Sequence, residues 1–486
     1  MTSYVMNINN NKTLKNIFLF LMFLGSLGTS MQLNAMNDGY LIRFQVKGMK
    51  DTICLIATYY GSGTYVKDTL KVDADGRFTF KTKADFPKGI YLAVINDKSY
   101  FEFIVNNDLR FSMETDRNDL AGKMVITGSP ENQLFYDYMK YNKARFAEIQ
   151  ALQNNFVVGK TSKDSIKLLR DQSEKINKEI IRYKLEIVEK HPSSFVAFFI
   201  NAMREPEIPE IPVLSNGRKD STFAYRYIIT HYWDGTDFTD DRLLRTPVFD
   251  NKLKKYFDKI LYQNPDTIMK ETDILIEKAR PNPEMFKYLV WYATYHSENS
   301  EIMGFDRIFV HVVDTYYLTH QATWERPAVV ESLIKKANRI RPLLIGQIAP
   351  NMIMLDTNNL PVSMYSVKSN FLILFFWDPD CGHCEKEIPQ LKDFYDKEKD
   401  SLGLKIFTVC SDTSLVKWKS AIRKRNMDWI NVNGPRTLTG DYHSQYDVNN
   451  TPVVYILNNR KEIIAKRILT EQFLQFFKNY IKKGLH

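Results

Sequence analysis

The chain has 486 residues, of which 44% are hydrophobic and 25% are charged, and it carries a formal net charge of +9 at pH 7. At roughly 150 residues per domain, this length predicts two to four domains, and the hydrophobic content is sufficient for buried cores. Basic and acidic residues are interleaved, as in residues 396–400, and no basic block or RNA-type aromatic motif occurs, so nucleic acid is not expected as a partner.

The first 35 residues have the pattern of a secretory signal peptide. Lys12 and Lys15 precede an apolar stretch at residues 17–27, and small residues suited to cleavage follow up to Ala35. The apolar stretch is too short to span a bilayer, and no later segment reaches a spanning length. We therefore expect a signal peptide at residues 1–35, no transmembrane span in the mature chain, and export to the bacterial periplasm or cell envelope.

Residues 36–128 alternate apolar and polar side chains in several short segments, among them residues 40–46 and 77–81. Alternation with a period of two is typical of half-buried strands. Asp75-Gly76 lies between two of these segments and predicts a hairpin turn. The sequence therefore predicts a small antiparallel β-sandwich domain.

Residues 129–341 predict an all-α domain. Ser129 can serve as the N-cap of a first helix, and Lys163–Lys190 carries an apolar stripe at helical spacing. The tryptophans and tyrosines of this region fit packing between helices better than a ligand groove. No residue pattern here indicates chemistry, so we expect this domain to position partners or to mediate assembly.

The C-terminal residues 342–486 contain a Cys-x-x-Cys pair, Cys381 and Cys384. The pair follows a continuous apolar run, Phe371–Trp377, which predicts a buried strand, and it precedes residues 385–399, which predict a helix. Cys381 is thus expected at a helix N-terminus, where unpaired N–H groups favour a thiolate over a thiol. The thiolate is the attacking species in thiol–disulfide exchange.

The remainder of this segment predicts a mixed α/β domain. Strands are expected at residues 405–410, 453–457 and 462–465, and helices at residues 415–425 and 471–482. Cys410, which ends the first of these strands, and Cys54 in the β-domain are expected to be buried free thiols. The position of Cys410 leaves a third redox role open for it.

The element order and motifs of residues 342–486 resemble the thioredoxin fold, in its TlpA-like branch of periplasmic thiol–disulfide oxidoreductases. The residues that carry the resemblance are Ile348-Ala349-Pro350, Cys381, Cys384, Pro389 and Thr451-Pro452. The segment that begins near Ile348 is similar to the N-terminal extension of this branch and of the related alkyl hydroperoxide reductase/thiol-specific antioxidant superfamily. Such envelope proteins also carry a preceding β-domain and helical inserts, so the resemblance implies a multidomain chain.

The resemblance implies a protein-disulfide oxidoreductase that uses no metal and no organic cofactor. Cys381 would be the nucleophile that forms a mixed disulfide with a substrate protein, and Cys384 would be the resolving thiol. Pro452, expected in the cis form, would line the substrate-binding surface together with Thr451. Trp377 is assigned to the same substrate-binding set and is expected to pack beneath the site.

Two positions near the pair depart from the family pattern. Phe375 stands where thioredoxin has a buried Asp, and Asp380 stands where many relatives have Trp. Like-charge repulsion from Asp380 would raise the pKa of the thiol, whereas a positively charged His383 would lower it and make the disulfide more oxidising. The motif alone leaves the direction open. We favour the reductase direction, which in an oxidising compartment would need electrons from a membrane thiol donor.

Other uses of the pair fit the sequence less well. A zinc site needs four ligands and no second cluster is present, and Glu385 stands where c-type haem attachment requires His. A peroxiredoxin-type motif would require Thr at the position of Asp378, and a structural disulfide of this spacing would be a small strained ring. Two alternatives stay open: a thiol peroxidase that uses Cys381, and an envelope binding module for a peptide, nutrient or cell-wall ligand with a subsidiary redox domain.

Overall fold

The computed structural model divides into two compact units, one ending at Leu261 and the other beginning at Tyr262. The residues that it describes are 39–83, 85–96, 99–154, 163–482 and 484. The predicted signal peptide lies outside these residues. Across the described ranges, no helix combines the length and the apolar character needed to cross a membrane. The division falls inside the predicted all-α segment, so helices of residues 129–341 belong to both units.

The first unit begins with a β-sandwich. Its strands are Leu41–Lys47 (β1), Thr52–Tyr60 (β2), Gly63–Val72 (β3), Arg77–Lys81 (β4), Gly89–Asn96 (β5), Ser99–Val105 (β6), Arg110–Asp116 (β7) and Val125–Thr127 (β8). They form two four-stranded sheets, in the orders β4-β1-β7-β8 and β3-β2-β5-β6. The sheets meet through aromatic side chains, since the ring of Phe44 lies 5.8 Å from that of Phe101 and 5.1 Å from that of Phe103. The predicted β-sandwich is confirmed.

Two details of the sandwich differ from the prediction. β1 and β7 pair in parallel, and between them the chain passes twice through the other sheet, as β2-β3 and as β5-β6. The other strand pairs of this unit are antiparallel. The turn at Asp75-Gly76 forms, with Gly76 at φ +76°, but the predicted hairpin is wrong. The turn carries the chain from β3 in one sheet to β4 in the other, where β4 pairs with β1.

The first unit continues with helices. They are Pro130–Asn154 (α1), Lys163–Lys190 (α2), Phe195–Ala202 (α3), Phe223–His231 (α4) and Val248–Lys255 (α5), the last followed by a π-helical turn at Tyr256–Ile260. Ser129 caps α1 as predicted, because its Oγ accepts the N–H of Asn132 at 3.1 Å. The buried amide of Asn132 pairs with both main-chain groups of Ile104, at 2.7 and 3.0 Å. These bonds fasten α1 to β6, which is an edge strand of its sheet.

The second unit is built on one sheet. Its strands are Ile353–Asp356 (β9), Pro361–Ser363 (β10), Phe371–Trp377 (β11), Leu404–Cys410 (β12), Ile430–Thr437 (β13), Val453–Asn458 (β14) and Ile463–Lys466 (β15), in the seven-stranded order β10-β9-β13-β12-β11-β14-β15. β11 is parallel to β12 and antiparallel to β14. Every residue of β11 is buried, as its unbroken apolar sequence predicts.

The second unit also contains α-helices. They are Pro265–Ala279 (α6), Pro283–Glu298 (α7), Asp306–Val312 (α8), Pro327–Ile340 (α9), Gly382–Glu398 (α10), Leu415–Lys424 (α11), Tyr442–Gln445 (α12) and Phe473–Lys482 (α13). Alternate side chains of β11 enter two cores. Ile373 and Phe375 pack with Leu391 of α10, whereas Leu374 packs with Tyr446 after α12. The predicted C-terminal α/β domain is confirmed, and α10 begins three residues before the expected position 385.

A buried ion pair links α8 to the edge strand β15. The side chain of Lys466 is 5% exposed, and its ammonium contacts the carboxylate of Asp306 and donates to the carbonyl of Leu343 at 2.6 Å. Burial lowers the pKa of Lys466, and the nearby carboxylate of Asp306 opposes this effect. Helix α8 therefore supplies the counter-charge for a lysine of the seven-stranded sheet.

Replacing Asp306 by Asn should lower the free energy of unfolding of the second unit by about 2–3 kcal/mol, because a buried ammonium loses its counter-charge. This lies below the full cost of breaking a buried pair, because the Asp306 side chain is 24% exposed. Urea unfolding measures the change. Asp393→Asn, which breaks the exposed pair of Asp393 with Lys397, is the matched control and should change stability by less than about 0.5 kcal/mol. Equal effects of the two substitutions would contradict this account.

Candidate redox site

The Cys381–Cys384 pair lies where β11 passes into α10. Cys381 is the N-cap residue of α10, in an extended conformation, and its Sγ accepts the main-chain N–H of Cys384 at 3.4 Å. The N–H of Cys381 in turn donates to the carbonyl oxygen of Asp378 at 3.2 Å. The sulfur of Cys381 therefore occupies the place that a side-chain oxygen takes at an ordinary helix N-cap.

The two thiols are in different environments. Cys381 is partly exposed and Cys384 is fully buried, and both are free thiols. Burial raises the pKa of the Cys381 thiol, but hydrogen bonds from the Cys384 thiol, the side chain of Thr451 and the N–H groups of Cys384 and His383 outweigh it, so that this pKa lies below its ordinary value. Burial raises the pKa of Cys384 to about 12. The accessible sulfur is thus the one that ionises more readily.

Thr451 and Pro452 lie beside Cys381. The peptide bond between them is cis, as predicted, and the Cys381 thiol donates to the carbonyl oxygen of Thr451 at 3.1 Å. Both residues immediately precede β14, which pairs with β11 and sets Val453 opposite Phe376. The sheet therefore brings together two motifs that stand 70 residues apart in the chain.

The loop between β11 and α10 is held by Asp378, which the sequence analysis did not assign to the site. One carboxylate oxygen of Asp378 accepts the N–H of Asp380 at 2.8 Å, and the other accepts the hydroxyl of Ser411 at 2.6 Å. The N–H of Ser411 also donates to the carbonyl of Trp377 at 2.9 Å. An Asp side chain that accepts the N–H of the second residue after it is common in turns, so Asp378 alone gives only a weak indication of a role at the site. Its bond to Ser411 becomes visible only in the folded structure.

The assignment of Trp377 to the substrate-binding residues is wrong. Its side chain has 0% exposure, because Trp377 belongs to the buried strand β11 and points into the core under α10. The guanidinium carbon of Arg425 lies 5.8 Å from the centre of the indole ring. Trp377 therefore packs beneath the site, which was the other part of the expectation.

The other two cysteines are buried free thiols, as predicted. Cys410 pairs with Trp377 in the register of β11 and β12, and it lies in the same core as Cys384. Burial raises the pKa values of Cys54 and Cys410 to about 12 each. Both thiols are therefore protonated at neutral pH. Over the residues that the structure describes, no cluster of three His, Cys, Asp or Glu residues is arranged to hold a metal ion.

Comparisons with known proteins identify the family of the C-terminal domain. Residues 369–463, which span β11, both site cysteines and Pro452, match the family model described as thioredoxin-like. The chain is also similar to the thiol-disulfide oxidoreductase ResA of Bacillus subtilis (strain 168), with 27% identity over 143 residues, covering 29% of this chain and 76% of the relative. The C-terminal domain belongs to the thioredoxin-like thiol–disulfide oxidoreductases. The TlpA-like recognition from the motifs is confirmed, and the chain is an enzyme of this class.

Further similar proteins cover between 29% and 57% of this chain. ResA of Bacillus cereus (strain ZK / E33L) is 24% identical over 140 residues, which cover 29% of this chain and 78% of the relative. A solved domain of a possible thiol-disulfide isomerase from Cytophaga hutchinsonii is 37% identical, covers 29% of this chain and 96% of that chain, and gives a TM-score of 0.28. A solved thioredoxin-like protein from Bacteroides caccae is 18% identical, covers 57% and 99% of the two chains, and gives a TM-score of 0.45.

The parts of the chain before the oxidoreductase domain match families without an assigned role. Residues 40–135 match DUF4369 and residues 161–339 match DUF5106, and both families are described as domains of unknown function. The first match covers the β-sandwich and the start of α1, and the second covers helices of both units.

The different pKa values of the Cys381 and Cys384 thiols predict different rates of alkylation. Iodoacetamide should modify Cys381 with a rate that rises with pH and levels off above its lowered pKa, whereas Cys384 stays protonated through neutral pH. At neutral pH the rate at Cys381 should exceed that at Cys384 by at least about tenfold, because the thiolate is the reacting form. Peptide-resolved mass spectrometry of the reduced protein measures both rates, with the buried Cys54 and Cys410 as internal controls. Faster modification of Cys384 would contradict the assignment.

Proposed function

We propose that the chain reduces disulfides of exported proteins in the bacterial cell envelope, with Cys381 as the nucleophile and Cys384 as the resolving thiol. The observation that carries the proposal is the difference between the two sulfurs: the exposed one has the lower pKa, and the buried one is protonated at rest. A thiolate that is ready to attack is what the reductive direction requires.

The reaction has two exchange steps. The Cys381 thiolate attacks one sulfur of a substrate disulfide, so that a Cys381–substrate bond forms, the substrate S–S bond breaks, and the leaving sulfur takes up a proton. Cys384 then gives up its proton and attacks the Cys381 sulfur, which releases the second substrate thiol and leaves a Cys381–Cys384 disulfide. The substrate gains two electrons and the enzyme loses two. A membrane dithiol donor would return them.

Thr451 and Pro452 are proposed as the substrate-binding surface. The carbonyl oxygen of Thr451 is 3.1 Å from the Cys381 sulfur, so a disulfide that reaches this sulfur must pass close to Thr451. Both residues are only partly buried, whereas the following strand β14 is buried almost throughout. A substrate segment laid along this edge would present its sulfur to Cys381.

The envelope location rests on the sequence of residues 1–35. Lys12, Lys15 and the apolar stretch that follows support export, and the described part of the chain contains no helix suited to a bilayer. The helices of residues 129–341 are proposed to position partner proteins or to mediate assembly. Insulin reduction by the mature chain separates this function from the binding-module alternative, in which Cys381→Ser would leave the biological activity unchanged.

Substitution of each cysteine should have a different consequence. Cys381→Ser should abolish insulin reduction, because it removes the attacking sulfur, whereas Cys384→Ser should trap mixed disulfides with substrate proteins, because the second step is lost. Mass spectrometry of the Cys384→Ser protein isolated from cells identifies the trapped partners. Cys410→Ser serves as the control and should reduce insulin at the wild-type rate. Covalent partners on the Cys381→Ser protein would reverse the two roles.

The main-chain N–H of His383 is one of the groups that stabilise the Cys381 thiolate. His383→Pro removes this N–H together with the ring, so the disulfide should become harder to reduce and its potential should shift to more negative values. A shift of about 30 mV would correspond to about 1.4 kcal/mol for this two-electron couple. Equilibration with glutathione measures the potential. His383→Ala keeps the N–H and should shift the potential less, and a positive shift of the Pro variant would contradict the role of this hydrogen bond.

A further inference from the structure

An acidic residue stands directly before the proposed nucleophile. The side chain of Asp380 is 70% exposed, and a carboxylate next to Cys381 opposes formation of a second negative charge on the sulfur. Some other group must therefore compensate Asp380 if Cys381 is to react as a thiolate.

Lys417 provides this compensation. Its ammonium contacts the carboxylate of Asp380 and lies 3.4 Å from a carboxylate oxygen of Asp412. Lys417 belongs to the first turn of α11, where its N–H donates to the Oγ of the N-cap residue Ser414 at 3.4 Å. Because β11 and β12 are parallel neighbours, their ends meet at one edge of the sheet, and the loop of Asp380 lies beside the start of α11.

We propose that Lys417 is a positioning residue of the redox site, which pairs with Asp380 and thereby keeps the charge next to Cys381 close to neutral, so that the thiolate forms more readily. This inference rests on the proposed role of Cys381 as the nucleophile. It assigns to α11, a helix that lies outside the Cys-x-x-Cys motif, a part in setting the redox properties of the pair.

Three other charged residues near the site, Asp378, Asp412 and Arg425, also have partners. Asp378 accepts from Ser411 and from the N–H of Asp380, and Asp412 accepts the N–H of Ser414 at 2.7 Å. Arg425 lies over the ring of Trp377 and donates to the carbonyl of Pro379 at 3.3 Å. The charged and titratable side chains of the segments next to Cys381 are Asp378, Asp380, His383, Cys384, Glu385, Lys386, Asp412, Lys417 and Arg425. Within this described set, Lys417 is the residue that contacts the Asp380 carboxylate.

The Lys417–Asp380 ion pair is suited to adjusting the charge next to Cys381 and contributes little to the stability of the fold. The side chains of Lys417 and Asp380 are 42% and 70% exposed, and exposed ion pairs contribute little to stability. Substitutions at either position should therefore leave the protein folded. An effect on Cys381 can then be separated from a loss of structure.

The test measures the alkylation rate of Cys381 against pH in the reduced full-length mature chain. Lys417→Met should move the midpoint to higher pH and slow alkylation below the midpoint by about threefold, the order expected when one exposed unit charge is removed near a titrating group. The difference should shrink at high salt, because ions screen exposed charges. Lys424→Met removes the same charge from an exposed position two turns further along α11 and should leave the profile unchanged.

Rescue variants identify the mechanism. Asp380→Asn alone should speed alkylation, and Asp380→Asn combined with Lys417→Met should return the profile towards wild type, since the pair is again neutral. Lys417→Arg keeps the charge and should match the wild type. The reduction potential of Lys417→Met, measured with glutathione, should be more negative than that of the wild type, because its thiolate is less stable.

The outcomes distinguish a failure of the role proposed for Lys417 from a failure of the proposed function. Identical profiles for Lys417→Met and Lys424→Met, with a reactive Cys381 in the wild type, would overturn the role of Lys417 and leave the proposed function intact. A slow Lys417→Met protein that Asp380→Asn does not restore would also overturn it, because the effect would then not act through Asp380. A wild-type Cys381 that is no more reactive than Cys384 would overturn the proposed function itself.

Discussion

The redox site depends on the burial of one strand. β11 lies between β12 and β14, and its side chains alternate between the two cores of the second unit. A shift of one residue would exchange the side chains that face the two cores, so the register of β11 is strongly specified. The end of the strand at Trp377 is thereby fixed, and with it the start of α10, the position of the cysteines and the approach of the Thr451-Pro452 segment from the neighbouring strand.

A single helical turn gives two identical side chains different chemistry. Cys381 caps α10 at the surface, where the unpaired N–H groups of the first turn reach its sulfur. Cys384 is three residues further along, which turns its side chain towards the core beside Trp377 and Cys410. The same local geometry thus stabilises negative charge on one sulfur and excludes water from the other. Thiol–disulfide exchange needs this difference, since one thiol must attack the substrate while the other stays protonated until the second step.

The charges of the second unit are compensated by partners from other segments. Lys466 of the edge strand β15 is paired with Asp306 of α8, and Asp447, also buried, is paired with Arg339 of α9 and Arg467 after β15. These contacts join the helices before residue 341 to the oxidoreductase domain, in agreement with their membership of one compact unit. The helical segment therefore contributes to the stability of the catalytic domain, a role that an independent helical domain would not have.

Sequence alone identified the elements that local patterns specify. The unbroken apolar run of β11 and the Cys-x-x-Cys pair at a helix start were recognisable because strand burial and helix capping depend on neighbouring residues, whereas the role expected of Thr451-Pro452 came from the resemblance to the thioredoxin fold. Contacts between distant residues required the tertiary structure. The pairing of Lys417 with Asp380 spans 37 positions, and the parallel pairing of β1 with β7 depends on the path through the second sheet. The physical reason is that periodicity indicates which side of a strand or helix is buried, whereas sheet order and helix packing decide which residues that side meets.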